Sequence, residues 1–538
     1  MVDSRFDCSH FYCCHLGCFR SPFTGTARAG YLGKGDLLMD SFIAATSLVF
    51  TWDVMFIILA ASVFGLFMGA IPGLTATMAT ALLVPVTFFM EPLPAIAAIV
   101  SATAMAIVAG DIPGALLRIP GTPASAVYTD EAYLMGKQGK VGVALGLNVV
   151  CSMFGGLIGV LCLASFAPLI ANFAIQFTSD EYFWLALLGL SCAILVSGGD
   201  PLKGAISMLV GLAISMVGMD SVSGQVRFTL GSYDLLAGIS ILPVLIGLFA
   251  ISELIRRMPE SKNPTPPMQT DVKSPFAGVG SLLWKYKFGV ARGGVLGTLI
   301  GALPGAGADI ASWISYAIAR KFSRTPEKFG TGHPEGLISA SSANNASLSG
   351  AYIPALVFGI PGDTVTAIII GVLMTKGITP GPDVFVNEGP LVNAIFMVFV
   401  VANLLLLPLG FMAIKGARHI LSIPSGVLFP LILVFCMVGS FAANNSMFDI
   451  WIMLAFGLLG FVMAENDFPI GPLILAVILG PIIESNFMRS IIKSNGDLSS
   501  FVDRPIATVL AVAAVLIWGM IVVNGIAAGR RKTNLSFS

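Results

Sequence analysis

Residues 341–381 combine paired amides with a helix break inside one apolar stretch. The stretch is long enough to cross a membrane, yet it holds Asn344 beside Asn345, several serines, and the run IPGDT at residues 360–364. In hydrocarbon an unsatisfied polar group costs several kcal/mol, so non-helical backbone persists only inside protein or beside a water-filled cavity. The stretch therefore predicts a broken, polar-lined element within the bilayer, an arrangement that can bind a solute or an ion.

Four Pro-Gly pairs predict breaks of this kind: Pro72-Gly73, Pro120-Gly121, Pro304-Gly305 and Pro361-Gly362. Proline removes a helix hydrogen bond, and glycine permits the tight turn that follows. A helix that restarts after a break presents free N–H groups and a positive dipole end, which bind carboxylates without a cationic side chain. The candidate anion-binding residues are the glycines of the breaks and the hydroxyls near them: Gly73, Thr75, Gly121, Thr122, Ser125, Gly305, Gly362 and Thr364, with Thr366 as a further hydroxyl.

Amide and carboxylate oxygens near the breaks are candidate groups for ion coupling. Asn344 and Asn345 either line a ligand site, where their oxygens coordinate Na⁺, or hydrogen-bond between helices, a common role of asparagine in membranes. Asp309 and Asp363 each follow a Pro-Gly pair closely. These acids either couple a cation to transport or cap a restarting helix, and the sequence leaves both roles open.

Two further charges, Asp111 and Arg118, fall within apolar sequence near the Pro120-Gly121 break. Ionisable groups in a membrane are costly and are functional candidates by default. Arg118 either meets a substrate carboxylate, pairs with Asp111, or extends its side chain to the cytoplasmic surface.

The composition indicates a helical membrane protein. Of the 538 residues, 56% are hydrophobic and only 11% are charged, whereas soluble domains carry about 25% charged residues. Many apolar runs reach the roughly 20 residues that span a bilayer as a helix. The net charge is zero, so nothing indicates nucleic acid as a partner.

Catalytic signatures are missing from the sequence. It contains no HExxH zinc motif, no nucleophile elbow and no Walker loop. We therefore expect no enzyme activity and no cofactor or resident metal. Without a nucleotide site, transport would depend on a Na⁺ or H⁺ gradient.

Residues 1–38 differ from the rest of the chain. Four of the eight cysteines lie here beside two histidines: Cys8, Cys13, Cys14, Cys18, His10 and His15. Their spacing fits no defined zinc motif, and the segment lacks the apolar core of a secretory signal. Since Met39 begins an equally plausible chain, we interpret 1–38 as a mis-assigned start or a disordered extension.

The remaining chain divides into two repeats. We predict a first transmembrane repeat at 39–255, a linker at 256–287, a second repeat at 288–505, and a final transmembrane helix with its tail at 506–538. The linker is basic and proline-rich, and Arg530, Arg531 and Lys532 follow the last apolar run. By the positive-inside rule, both the linker and the C-terminus are cytoplasmic.

Two matched blocks identify the repeat. GLFMGAIPGLTATMA at 65–79 aligns with GTLIGALPGAGADIA at 297–311, and PGALLRIPGTPASA at 113–126 aligns with PALVFGIPGDTVTA at 354–367. The loops after equivalent blocks differ in charge: ARKFSRTPEK in the second half is basic, whereas FFMEPLP in the first is not. Opposite sidedness of equivalent loops predicts inverted-topology repeats.

These motifs resemble those of the large membrane subunit of bacterial tripartite tricarboxylate transporters, the TctA type. The resemblance rests on GxxxGxxPG at 65–73 and 297–305, IPGTPAS at 119–125, EG…ANNA at 335–346, IPG at 360–362 and GxxPGP at 377–382. It implies an inner-membrane secondary transporter that imports an organic acid by Na⁺ or H⁺ symport. It also implies a small four-span membrane subunit and a periplasmic solute-binding protein as partners, with the Pro-Gly loops and the Asn pair forming the sites.

The chain departs from the family pattern in two places. Ala340-Ser341 stands where a Pro-Glu pair is expected, and Asp111 and Pro113 stand where small residues are expected. Both departures change the local charge, so citrate itself is in doubt as the substrate.

The predicted fold is an all-α polytopic membrane protein with two inverted-topology repeats, helices broken at Pro-Gly motifs, about 12 spans and re-entrant segments. Two other functions remain open. A self-sufficient carboxylate carrier would need no binding protein, and a membrane scaffold or receptor would transport nothing.

Overall fold

The computed structural model describes residues 43–71, 74–196, 200–220, 223–258, 275–420 and 425–536. The predicted extension 1–38, half of the linker 256–287, and Pro72 and Gly73 of the first break lie outside these residues. The boundaries of the two halves therefore remain predictions.

Helices dominate the described chain. In the first half they are α1 (Trp52–Ala70), α2 (Ala76–Thr87), α3 (Pro92–Ala109), α4 (Asp111–Leu117), α5 (Ala126–Met135), α6 (Val141–Ala174), α7 (Ser179–Val196), α8 (Pro201–Ser215), α9 (Ile241–Leu245) and α10 (Ser252–Arg257), with π-helical turns Gly136–Lys140 and Ile246–Ile251.

The end of the predicted linker forms α11 (Val279–Lys285). The second half and the final helix then comprise α12 (Lys287–Gly301), α13 (Gly307–Phe322), a 3₁₀ turn Pro326–Lys328, α14 (Pro334–Phe358), α15 (Thr364–Thr375), α16 (Pro382–Asn387), α17 (Gly389–Ile420), α18 (Ser425–Asn444), α19 (Met447–Glu465), α20 (Ile470–Lys493), α21 (Ser500–Asp503) and α22 (Pro505–Ser536).

Six helical segments in the described chain are long and apolar enough to cross a membrane: Trp52–Ala70, Pro92–Leu117, Ala126–Ala174, Gly389–Ala417, Met447–Glu465 and Ile470–Lys493. Shorter apolar helices accompany them at Ala76–Thr87, Pro201–Ser215, Thr364–Thr375, Phe429–Ala442 and Pro505–Ile521. The chain is thus a multi-pass membrane protein. The expected total of about 12 spans stays a prediction, because several of these helices are too short to cross a bilayer alone.

The purely helical prediction needs one correction. Residues 218–219 and 226–227 form a small antiparallel hairpin, in which Gly218 pairs with Arg227 and Met219 with Val226. Helix α8 accordingly ends at Ser215, before the hairpin, and α9 begins at Ile241, after it.

The helices differ in how deeply they are buried. The most apolar window of Pro92–Leu117 is 94% buried inside the protein, and that of Met447–Glu465 only 33%. Nearly every residue of α14 is also buried. Helices α3, α4 and α14 therefore form the centre, whereas α19 presents most of its surface outward.

Glycines let one pair of helices pack closely in each half. In the first half, Gly65 and Gly69 of α1 lie against the backbone of Ala102 and Ala106 of α3, so close that an added Cβ would be 2.1 Å and 2.2 Å from the carbonyl oxygens. Because the residue numbers in these two contacts increase together along both helices, α1 and α3 run parallel. Small residues allow such close approach of membrane helices.

The second half repeats this packing. Gly297 and Gly301 of α12 lie against Ala343 and Ser347 of α14, where an added Cβ would be 2.4 Å and 2.3 Å from the carbonyl oxygens. The glycines aligned in the sequence thus make equivalent contacts.

Both central helices end in the same way before their breaks. Arg118 and Gly359 adopt left-handed conformations, with φ of 59° and 68°. In each case the amide donates four residues back, to Gly114 and Ala355 respectively, and the following isoleucine amide donates to a proline carbonyl. These contacts satisfy carbonyls that the helix end leaves free.

A buried carboxylate joins the halves at one end of the molecule. Glu131 of α5, 1% exposed, accepts the backbone N–H groups of Gly330, Gly332 and His333 at 2.5–2.7 Å and the Tyr316 hydroxyl at 3.0 Å. The carboxylate therefore holds the α13–α14 loop against α5.

We expect Glu131→Gln to lower the stability of this junction. The amide would place N–H groups against backbone donors and leave buried groups unpaired, at a cost of about 1–3 kcal/mol. Thermal unfolding of the purified protein measures the effect. The neighbouring exposed Asp130→Asn serves as the control, and equal melting temperatures for the two variants would contradict the role of Glu131.

Candidate functional site

A cavity of about 450 Å³ lies between the two halves and is lined by residues from all three breaks that the structure describes. Thr122 comes from the second break, Gly305 and Asp309 from the third, and Asp363 and Thr364 from the fourth. Asn344 of α14 also lines it, as does Thr75 beside the first break. The structure thus brings together most of the residues predicted from separate parts of the sequence.

Helix N-termini surround this cavity. The first residues of α2, α13, α15 and α20 line it, and Thr122–Ala124 line it just before α5 begins. Each N-terminus carries free N–H groups and the positive end of the helix dipole. Their convergence creates a region suited to an anion.

Similar reciprocal bonds close the turn just before α5, after the second break, and cap the N-terminus of α15, after the fourth break. Thr122 and Ser125 bond reciprocally, each amide donating to the other residue's hydroxyl at 3.1 Å. Asp363 and Thr366 also bond reciprocally. The Thr366 amide donates to the Asp363 carboxylate at 2.8 Å, and the Asp363 amide donates to the Thr366 hydroxyl at 2.9 Å. Asp363 is therefore an N-cap, as one of its two predicted roles required, and it also lines the cavity.

The halves meet crosswise at the cavity. The Thr77 hydroxyl of α2 lies 3.1 Å from that of Thr364 in the second half. Reciprocally, the Asp309 carboxylate of α13 lies near the backbone N–H of Ala124 in the first half, and both residues line the cavity. Since Thr77 and Asp309 are equivalent in the repeat alignment, each half contributes its re-entrant segment to the other's break.

The charge of the cavity is uniformly acidic in the described residues. Glu253, Asp309 and Asp363 line it, and no lysine, arginine or histidine does. The Arg257 side chain donates to Glu253, which partly balances that carboxylate. A bound anion would therefore depend on the N–H groups together with a cation or proton that offsets Asp309 and Asp363.

The two central asparagines occupy different surroundings. Asn344 lines the cavity; its Nδ2 donates to the Tyr128 hydroxyl at 2.9 Å, and its Oδ1 has no partner among the described residues. Asn345 is turned away, and its Nδ2 donates to the Ser152 carbonyl at 2.8 Å and to Asn403 Oδ1 at 2.6 Å. The geometry gives Asn344 access to a ligand and gives Asn345 contacts between α14, α6 and α17.

We expect Asn345→Ala to destabilise the protein by about 2 kcal/mol, because the buried Asn403 oxygen loses its donor. Asn403→Ala removes the same bond, so the double variant should cost less than the sum of the single changes. Thermal unfolding of the four proteins completes the cycle. Unchanged stability of Asn345→Ala with weakened cation binding would instead favour the ion-ligand role.

The predicted glycines mainly position the backbone. The Gly305 amide donates to the Gly362 carbonyl at 2.8 Å, and that of Gly121 donates to Gly110 at 3.1 Å. Gly305 lines the cavity, whereas Gly121, Gly362 and Ser125 lie behind its wall.

Arg118 does not pair with Asp111. Its Nε donates to Asp130 at 2.7 Å, with both side chains more than half exposed, and Asp111 instead accepts the Tyr128 hydroxyl. The left-handed turn at Arg118 directs the side chain out of the protein. The expectation of an Arg118–Asp111 pair is therefore wrong.

Some residues that line the cavity were not predicted from the sequence. Pro469–Pro472 at the start of α20 and Glu253 of α10 come from regions outside the aligned blocks. The Pro-x-x-Pro spacing at 469–472 was the available signal for a helix start beside a break. The repeat alignment could have indicated Thr77, because it occupies the position equivalent to that of Asp309.

The fold and the cavity define a polytopic helical membrane protein whose broken helices enclose a polar, acidic cavity between two similar halves. Comparison with known proteins gives its family. The model of the tripartite tricarboxylate transporter TctA family matches residues 55–475. The chain belongs to this family, which comprises transporters that act with other subunits rather than enzymes.

Two relatives from Agrobacterium vitis are similar to the chain. The "uncharacterized 52.8 kDa protein in TAR-I ttuC' 3'region" is 35% identical over 453 residues, which cover 83% of this chain and 88% of the relative. The "uncharacterized protein in TAR-II ttuC' 3'region" is 39% identical over 214 residues, 40% of this chain and 88% of the relative. No solved structure matches.

Proposed function

We propose that the chain is the substrate-carrying subunit of a cation-coupled importer of a tricarboxylate or a related organic acid. The observation that carries this proposal is the convergence of helix N-termini from both halves on one cavity. A di- or tricarboxylate presents several anionic groups that such N–H groups can bind. The described lining residues Thr75, Thr122 and Thr364 add hydroxyl donors.

Cation coupling follows from the charge of the same cavity. Asp309 and Asp363 oppose an anionic substrate unless a cation accompanies it, so the substrate and a coupling Na⁺ or H⁺ favour each other's binding. Asn344 also lines the cavity, and its Oδ1 has no hydrogen-bond partner among the described residues. We assign these three residues to the coupling ion, and Asn345 to the support behind them.

Inverted repeats supply the transport cycle in this proposal. Gln138, after α5, donates to Thr331 in the α13–α14 loop at 3.2 Å. Lys376, after α15, donates to Phe88 and Met90 in the α2–α3 loop at 2.6 Å. A full span, Pro92–Leu117, separates the α2–α3 loop from α5. These contacts support opposite orientations, and rocking of one half against the other would expose the cavity alternately.

The proposed setting is the bacterial inner membrane with a cytoplasmic C-terminus. The end formed by Gln138 and Thr331 carries Lys137, Lys140, Arg320 and Lys321, which supports its cytoplasmic placement. A small four-span membrane subunit and a periplasmic solute-binding protein complete the proposed assembly, and the binding protein delivers the acid.

Uptake into proteoliposomes tests the proposal. The purified chain, with and without the two candidate partners, is given labelled citrate and several dicarboxylates under separately imposed Na⁺ and proton gradients. We expect uptake that needs the partners and one gradient. Uptake without partners would support a self-sufficient carrier, and no flux from folded, inserted protein would overturn the transport function.

A further inference from the structure

A further ionisable residue, Asp111, is buried outside the cavity, two hydrogen bonds away from the lining residue Asn344. It lies in the first turn of α4, is 3% exposed, and accepts the Tyr128 hydroxyl at 2.8 Å through Oδ1. Its Oδ2 has no hydrogen-bond partner among the described residues. A buried carboxylate anion with a single neutral donor is strongly disfavoured, so this environment suits the protonated form.

A small cavity adjoins Asp111. It measures about 10 Å³ and is lined by Asp111, Asn148 and otherwise apolar residues of α1, α3, α4, α6 and α17. Both side-chain polar atoms of Asn148 lack partners among the described residues. The space matches roughly one water molecule, and Asp111 and Asn148 are its polar lining residues.

Hydrogen bonds connect Asp111 with the main cavity. The Tyr128 hydroxyl, which donates to Asp111, accepts a hydrogen bond from Asn344 Nδ2 at 2.9 Å, and Asn344 is a lining residue of the cavity. A change of charge at Asp111 alters the bond from Tyr128 and, through it, the orientation of Asn344. The buried acid can therefore influence a ligand that it does not touch.

The packing of the repeat does not require an acid here. In the alignment of 113–126 with 354–367, Asp111 corresponds to Tyr352. Tyr352 occupies the equivalent turn of α14 and is also fully buried. An acid in only one of two equivalent positions indicates a role beyond packing.

Few charged groups face Asp111. Tyr128 of α5 is the titratable residue in contact with it, and the described residues of the small cavity add no further charge. On neighbouring turns, Glu131 is held by the α13–α14 loop. Arg118 and Asp130 pair at the surface. Protonation of Asp111 is thus set by its own surroundings.

We propose that Asp111 carries a coupling proton of this transporter, in addition to the cation assigned to Asp309, Asp363 and Asn344. In the step, a water-borne proton forms an O–H bond with the Asp111 carboxylate when the cavity faces outward, and the bond breaks to water when it faces inward. No other bond changes. The proposal rests on the proposed carboxylate import and identifies H⁺ as a coupling ion.

Infrared difference spectroscopy tests proton binding without transport. Purified protein is titrated from acidic to mildly alkaline pH, and the carbonyl stretch of protonated carboxyl groups is recorded. We expect a band that titrates in the natural protein and in Tyr128→Phe, and that is missing from Asp111→Asn. A titration difference spectrum unchanged in Asp111→Asn would overturn the proposal whatever the substrate is.

Transport measurements test the coupling. In proteoliposomes with the partner subunits, we expect Asp111→Asn to reduce accumulation driven by a proton gradient about tenfold or more, while exchange of labelled for unlabelled substrate falls much less. Tyr128→Phe, which keeps the acid but breaks its link to Asn344, should also reduce accumulation. The exposed Asp130→Asn is the matched control.

The outcomes separate this proposal from the proposed function. Carboxylate uptake driven by Na⁺ alone, with equal pH dependence in the natural protein and Asp111→Asn, would retain carboxylate transport and overturn proton coupling. Failure of all carboxylate flux would overturn the proposed function, and the infrared band would still decide whether Asp111 binds a proton.

Discussion

Replacing Asp363 by threonine should reduce carboxylate transport about tenfold or more while leaving the protein folded. Threonine can keep the helix cap, because Thr122 makes the equivalent reciprocal bonds with Ser125 in the first half. A cap contributes about 1 kcal/mol, so loss of the cap alone would appear as reduced stability. What Asp363→Thr removes in addition is a carboxylate that lines the cavity.

Two measurements test this prediction. Uptake at varied cation concentration reports the loss of transport and of cation coupling, and thermal unfolding reports any loss of stability. Asp497→Thr is the matched control, since Asp497 also accepts a backbone N–H, from Ser499 at 2.9 Å, but lies on an exposed loop. Asp363→Thr with natural uptake and natural cation dependence would show that the carboxylate is only a cap.

Gly305→Ala should have a comparably large effect on transport. Gly305 has φ of +83°, and an added Cβ would lie 2.6 Å from Ala193 Cα. The left-handed conformation costs a side chain about 1–2 kcal/mol. Relief of the collision would shift the segment, break its bond to the Gly362 carbonyl and misplace the N-terminus of α13. In enzymes a displacement of about 1 Å at a site can cost on the order of 100-fold.

Gly377→Ala separates backbone strain from this displacement. Gly377 has a similar φ of +76°, but an added Cβ there has nothing within 4 Å. Both variants should lose similar stability from strain, and only Gly305→Ala should lose most of its transport. Equal transport by the two variants would contradict the positioning role of Gly305.

The sequence predicted the parts of the site that depend on local rules. Proline and glycine interrupt a helix regardless of its neighbours, so the breaks at 120–121, 304–305 and 361–362 could be placed from residue types alone. The repeat alignment also paired Gly65 with Gly297, and the structure shows that the two glycines make equivalent helix contacts.

Contacts between distant segments could not be predicted in the same way. Asn344 and Asn345 are neighbours in the chain, and only tertiary packing decides that one faces the cavity while the other bonds to Asn403. Glu253 and the start of α20 reach the cavity for the same reason. Arg118 pairs with Asp130 because the turn after α4 directs it outward, which residue types do not reveal.

The most direct test of the account asks whether a carboxylate occupies the cavity between the breaks. Thr122→Cys is introduced into a variant whose eight natural cysteines are replaced, and its reaction with a thiol reagent is followed with and without a transported acid. Thr379→Cys, in a separate cavity near α16, is the control. The account predicts that the acid slows labelling at 122 and not at 379. Equal labelling at 122 with and without saturating acid would contradict it.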